Sequence, residues 1–131
     1  NLQDKILFSD ALYGTLKWAS ILACRGMVLA SHGESLGVSL VESLSMGKPV
    51  LTTYKVNIAR DIIKYNAGLV SQDTMNSFSK ILVEFDKLNK KELIKISNNA
   101  LNCFKNNFDL TSTKNSLGKL LKKIIKMQIN E

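Results

Sequence analysis

The chain has 131 residues, the size of one ordinary domain, and its 45% apolar and 22% charged residues suit a packed core and exclude a disordered polymer. No apolar run nears the roughly 18 residues of a membrane span, and the polar start Asn1-Leu2-Gln3-Asp4-Lys5 does not read as a signal peptide. The formal charge is +7, and Lys87, Lys90, Lys91, Lys95, Lys105, Lys114, Lys119, Lys122, Lys123 and Lys126 face only Glu92, Asp109 and Glu131 late in the chain. Such an excess is either a solvated surface or a partner site for an anionic surface.

Ile6-Leu7-Phe8 is too short for anything but a buried strand. Leu16 to Cys24 has helical spacing, with Gly26 as its expected C-cap. Met27 to Ala30 is a second strand, Ser31 to Gly37 a polar loop, and Val38 to Met46 a helix stopped by Gly47 and Pro49. Val50 to Thr53 is a third strand. Ile58 to Tyr65 is a helix closed by Asn66, and Gly68-Leu69-Val70 is a fourth strand. Asp73 or Thr74 caps the next helix, with Met75, Phe78, Ile81, Leu82 and Phe85 inward. Helices over 91–104 and 111–127 complete the chain.

Continuously apolar strands alternating with helices predict an α/β fold, a Rossmann-like parallel sheet with helices on both faces, followed by C-terminal helices. The expected division is a Rossmann-like domain over 1–110 and an amphipathic helix over 111–131. Leu117, Leu120, Leu121, Ile124 and Ile125 line one face of that helix, with Lys119, Lys122, Lys123 and Lys126 largely opposite. It packs on that domain or on an N-terminal domain outside this sequence, or else makes peripheral contact with an anionic membrane. Cys24 and Cys103 have no metal or redox spacing and read as buried thiols.

Ligands of open parallel sheets bind beyond the carboxyl ends of the strands, where the 31–37 loop falls. The loop enters a helix N-terminus, where unpaired amides and the helix dipole attract a phosphate or diphosphate. Gly37 permits close backbone approach. Glu34 and Glu42 flank this site. Carboxylates repel phosphate but accept hydrogen bonds from hydroxyls, so a sugar and a ribose are their natural partners. Either could equally be a charge placed to suit the helix dipole.

The stretch Ala30-Ser31-His32-Gly33-Glu34-Ser35-Leu36-Gly37 through Glu42 to Gly47-Lys48-Pro49-Val50 resembles the donor-site signature of glycosyltransferase family 4, the group 1 glycosyltransferases. Ser31, Glu34, Gly37, Glu42, Gly47, Pro49 and Val50 stand at the family's spacing, and nearly the whole chain shares the likeness. The resemblance implies the C-terminal donor-binding domain of a GT-B enzyme, here truncated at its N-terminal side. It implies a retaining hexosyltransferase that moves sugar from a nucleotide-sugar to a glycan or lipid-linked acceptor, in bacterial polysaccharide biosynthesis.

On that resemblance Glu34 is catalytic and contacts the donor sugar. Ser35, Leu36, Gly37 and Val38 bind the donor, the last three through backbone amides, and Glu42 binds the ribose. No metal and no cofactor is expected, nor any nucleic-acid partner, and the expected location is cytoplasmic, at or near the inner face of the membrane. Leu36 replaces the family's aromatic residue, and Asp10 stands where glycine is usual. The Arg and Lys that neutralise the diphosphate, and the acceptor-binding domain, are not found here. The chain, which does not begin with Met, is therefore expected to be a fragment inactive by itself. The alternative reading is a non-enzymatic flavodoxin-like or receiver-like module, with Asp10 and Thr52 at strand ends.

Overall fold

The computed structural model describes residues 3–129, apart from some side chains of the last helix, among them Lys123, Ile124 and Lys126. After a 3-10 turn at Gln3–Lys5, the order is α1 (Gly14–Ala23), β1 (Met27–Leu29), α2 (Val38–Ser45), β2 (Val50–Thr53), α3 (Ala59–Tyr65), β3 (Gly68–Ser71), α4 (Met75–Asp86), α5 (Lys90–Asn107) and α6 (Leu110–Ile129).

The sheet has the order β1-β2-β3 and is parallel throughout, with Met27 opposite Val50 and Val50 opposite Gly68. All four residues of β2 are buried, because helices cover both faces of this central strand. Neighbouring side chains of a strand point to opposite faces, and the core divides accordingly. Val50 packs in a cluster with Leu40, Leu44, Ile62, Ala100 and Cys103, drawn from α2, α3 and α5. Leu51 packs on the other side with Phe78 and Ile81 of α4.

Local chemistry sets the boundaries. Helix α2 ends with Gly47 at φ +67°, where Gly47 N–H donates to Leu44 O and Lys48 N–H to Ser43 O. That paired closure is a Schellman motif. Asn66, at φ 51°, plays the same part after α3, with Ala67 N–H donating to Ile62 O. Thr74 caps α4 by accepting from Ser77 N–H at 3.3 Å. At α5 the Asn89 side chain accepts from the Lys91 and Glu92 amides, and Glu92 accepts in return from Asn89 N–H at 2.8 Å. Such a capping box contributes about 1 kcal/mol.

Three expectations fail. Met75 and Leu82 of α4 do not face inward but are 85% and 41% exposed, leaving Phe78 and Ile81 as the buried residues of that helix. Ile6-Leu7-Phe8 is not a strand: Leu7 is 91% and Phe8 92% exposed, and the run pairs with no strand of the described sheet. Three residues with no neighbour to supply ladder hydrogen bonds gain nothing from extension. Nor is Gly26 a helix cap. Helix α1 ends at Cys24 in an extended conformation, and Gly26 is needed for space, since a Cβ there would lie 2.8 Å from Phe85 Cζ and 2.9 Å from the Pro49 carbonyl.

The cysteines are both free thiols. Cys103 is fully buried, and burial above all, then the nearby Asp61 charge, pushes its thiol up to about 11. Cys24 is only partly buried, its thiol 3.1 Å from the Ile21 carbonyl.

Candidate functional site

The loop from Ser31 to Gly37 leaves the carboxyl end of β1 and enters α2, and three contacts shape it. Thr53 at the end of β2 donates its hydroxyl to Ser31 O. Gly33 N–H donates to Ser31 Oγ at 3.2 Å, closing a small turn. Glu34 forms an isolated parallel bridge with Val56: its N–H donates to Lys55 O, and its carbonyl accepts from Asn57 N–H, both at 3.3 Å. Main-chain bonds thus fix the Glu34 backbone to the segment after β2, while its side chain stays exposed.

Gly37 precedes α2 with φ +69° and ψ 64°, a left-handed conformation that suits glycine. Around it lie Leu29 of β1, Val56 and Leu40, each of which a Cβ would meet at 3.2 to 3.4 Å. The glycine therefore lets the helix start press against the strand end. Its carbonyl accepts from Leu40 and Val41 N–H, the first bonds of α2. The amides of Val38 and Ser39 precede those bonds and point along the axis, as at any helix start. Ser35 and Leu36 are exposed beside them, and so is Val38.

Glu42 lies one turn inside α2. Its Oε1 is 2.6 Å from Lys17 Nζ of α1. The same ammonium sits 4.6 Å from the centroid of the Trp18 ring. Glu42 and Lys17 line a recess of roughly 240 Å³ with Leu12, Ser20, Ile21, Cys24, Gly26, Met27 and Ser39. Glu34 is not among its lining residues, so the two glutamates do not share this recess.

A second cavity of roughly 330 Å³ opens at the carboxyl ends of all three strands, between Ala30-Ser31-His32, Thr53 and the start of α4. Phe78 forms part of its wall, and His32 and Asp73 meet there, Nδ1 to Oδ2 at 3.2 Å. The hydrogen bond from His32 is the first cause holding the Asp73 carboxyl below its ordinary value. Among the described residues no group of three or more His, Cys, Asp or Glu is placed to hold a metal ion.

Sequence reasoning missed both pairings. A trace of the first was present: Lys17 lies one helical turn before Ile21, which α1 buries, so it had to face the protein. Nothing marked His32 and Asp73, which are 41 positions apart. The receiver-like alternative loses its basis. Asp10 lies in an exposed irregular segment, and Thr52 is fully buried within β2 with its hydroxyl donating to Leu29 O.

Comparison with known proteins agrees with the geometry. The family described as glycosyl transferases group 1 matches residues 1–102. Among solved structures, sucrose-phosphate synthase from Thermosynechococcus elongatus shares the fold at a TM-score of 0.64 and 15% identity. The likeness covers 78% of this chain and 26% of that one, so this chain corresponds to about a quarter of that protein. No curated protein matched. With the family's match running from before α1 into α5, the chain belongs to the group 1 glycosyl transferases.

Proposed function

We propose that this chain is the donor-binding part of a retaining glycosyltransferase that moves a hexosyl group from a nucleotide-sugar to a glycan or lipid-linked acceptor, without a metal ion. The observation that carries the reading is the start of α2, set against the carboxyl end of β1 by a left-handed Gly37 with side chains packed about it. The amides of Leu36, Gly37 and Val38 are the proposed holders of the diphosphate and sugar, beside Ser35. Glu34 accepts hydroxyls of the donor sugar and Glu42 those of the ribose. As the sugar–phosphate bond breaks, negative charge grows on the leaving diphosphate, and prearranged amide dipoles stabilise that charge without reorganising.

On this reading the 131 residues hold donor but do not transfer sugar alone, because the acceptor side and the cations for the diphosphate come from elsewhere in a longer enzyme. Family membership supports glycosyl transfer as the chemistry; the donor, the stereochemistry and the acceptor are the proposal. Ligand-observed NMR of the chain with UDP-, GDP- and ADP-hexoses tests it. Saturation transfer to one of these, displaced by its nucleoside diphosphate, is the expected result. Silence from all of them overturns the reading.

A further inference from the structure

The proposed donor site makes no use of the cavity of roughly 330 Å³ at the carboxyl ends of the strands. Its place relative to that site follows from the sheet. Helix α2, which carries Glu42, packs on the Val50 face of β2, whereas α4, which walls the cavity, packs on the Leu51 face. The 31–37 loop crosses the carboxyl edge between them: Ser31 and His32 line the cavity, Glu34 follows, and Gly37 leads into α2. The polar lining offers acceptors. The hydroxyls of Ser31, Thr53 and Ser79 already donate to the carbonyls of Gly33, Ser31 and Met75, so acceptor capacity is what remains to them. An ionised Asp73 can only accept, so the proton it shares with His32 belongs to Nδ1, and in the neutral ring Nε2 is a further acceptor. His32 takes one of the roughly four lone-pair sites of that carboxylate. Phe78, Met75 and Ala30 supply the apolar part of the wall.

We propose that this cavity is a subsite for one neutral sugar unit of the acceptor, beside the hexosyl group assigned to Glu34. Its assignment to the acceptor rests on the donor-site reading; its assignment to a sugar rests on the lining alone. A lining of acceptors selects a ligand rich in donors. A sugar ring brings hydroxyls on its rim and C–H groups on its faces, the latter suited to Phe78 and Met75. The volume is at the low end of small-molecule sites, about 300–1,000 Å³, and suits a single ring. Asp73 repels phosphates and carboxylates, and the Lys55 charge that acts on Asp73 weighs against a free cation. A nucleotide would bring its phosphates against an acid here, whereas at the start of α2 they meet unpaired amides. The rest of the acceptor side comes from the longer enzyme, and this chain orients the unit nearest the transferred sugar.

The test is ligand-observed NMR of the full 131-residue chain with methyl glucoside, methyl galactoside and methyl mannoside, each alone and with UDP, GDP or ADP. Saturation transfer to at least one glycoside is expected, undiminished by the nucleotides. Asp73→Ala should weaken that binding about tenfold. Ser79→Trp, at an exposed position on the rim, should block it. Circular dichroism checks that both variants are folded, and neither should alter nucleoside diphosphate binding. Glucosamine and glucose 6-phosphate, as charged probes, should bind less well than the methyl glucoside. Silence from every glycoside overturns the proposal. So does glycoside binding that both substitutions leave intact, or tighter binding of either charged probe. Displacement of the glycoside by a nucleoside diphosphate overturns it as well, because the sugar then occupies the donor site. Silence from the nucleotide-sugars beside Asp73-dependent glycoside binding would instead overturn the donor-site reading, and with it the assignment to an acceptor, while the sugar site stands.

Discussion

The Lys17 ammonium sits 2.6 Å from Glu42 Oε1, joining α1 to α2 at the residue proposed to grip the ribose. The side chains are 34% and 24% exposed, so water screens the pair and its worth is modest, about 0.5–1 kcal/mol. Its larger consequence is orientation. With one oxygen held by Lys17, the Glu42 carboxylate is oriented, and its other oxygen is the one that the proposed ribose contact would use.

Lys17→Met should therefore reduce stability to urea by about 0.5–1 kcal/mol and weaken nucleoside diphosphate binding only about threefold. Glu42→Gln removes the charged acceptor itself and should weaken that binding about tenfold or more, at similar stability. Titration calorimetry with the nucleotide found by NMR measures both. A greater loss from Lys17→Met than from Glu42→Gln would show that the lysine, not the glutamate, meets the ligand.

Glu34 and Glu42 should separate by the part of the donor each serves. If Glu34 contacts only the sugar, Glu34→Gln should weaken the nucleotide-sugar about tenfold and leave the bare nucleoside diphosphate unchanged. Glu42→Gln should weaken both equally. The backbone bonds of Glu34 to Lys55 and Asn57 do not involve its side chain, so the fold should not change. Equal losses for both ligands in Glu34→Gln would remove the sugar contact from the account.

Much of this arrangement was legible in the sequence because local chemistry and tertiary need agreed. Val50 to Thr53 reads as a buried strand and is one, since β2 has a parallel neighbour on each side and helices on both faces. Gly47 and Asn66 end their helices where the spacing runs out. Ile6-Leu7-Phe8 has the same local character as β2 but no strand to pair with, and apolar composition alone does not make a strand. At the site, the 31–37 loop and the start of α2 were legible from motif spacing. Lys17–Glu42 and His32–Asp73 join distant elements and depend on how helices pack, which one-dimensional spacing does not encode.

Two glycines should respond to substitution for different reasons. Gly68→Ala would put a Cβ 1.8 Å from the Val50 carbonyl oxygen, inside the β2–β3 ladder where backbone cannot yield. It should cost more than about 3 kcal/mol, enough to unfold a marginal domain. Gly37→Ala faces a left-handed backbone and side-chain contacts at 3.2 to 3.4 Å that can shift slightly. Its cost should be about 1–2 kcal/mol, with donor binding lost beyond that because the start of α2 moves. Thermal unfolding followed by circular dichroism, paired with NMR titration of Gly37→Ala, distinguishes them. Native stability in Gly68→Ala would contradict the close approach of β2 and β3.

The His32–Asp73 contact makes a prediction in pH. A carboxyl held below its ordinary value in the folded state binds protons less readily than in the unfolded chain. The stabilisation is therefore present above the ordinary carboxylate range, about pH 4 and higher, and disappears as pH falls through the lowered value. His32→Ala removes the hydrogen bond that is the first cause of the shift. Wild type should be more stable than His32→Ala near neutrality, by a small margin since the histidine is 85% exposed, and the two should converge in acid. Urea midpoints across the acidic range, with Asp73→Asn as a reference that has already lost the charge, read this directly. A gap between wild type and His32→Ala that stays constant into acid would assign the role of His32 to packing against the cavity wall instead of to its bond with Asp73.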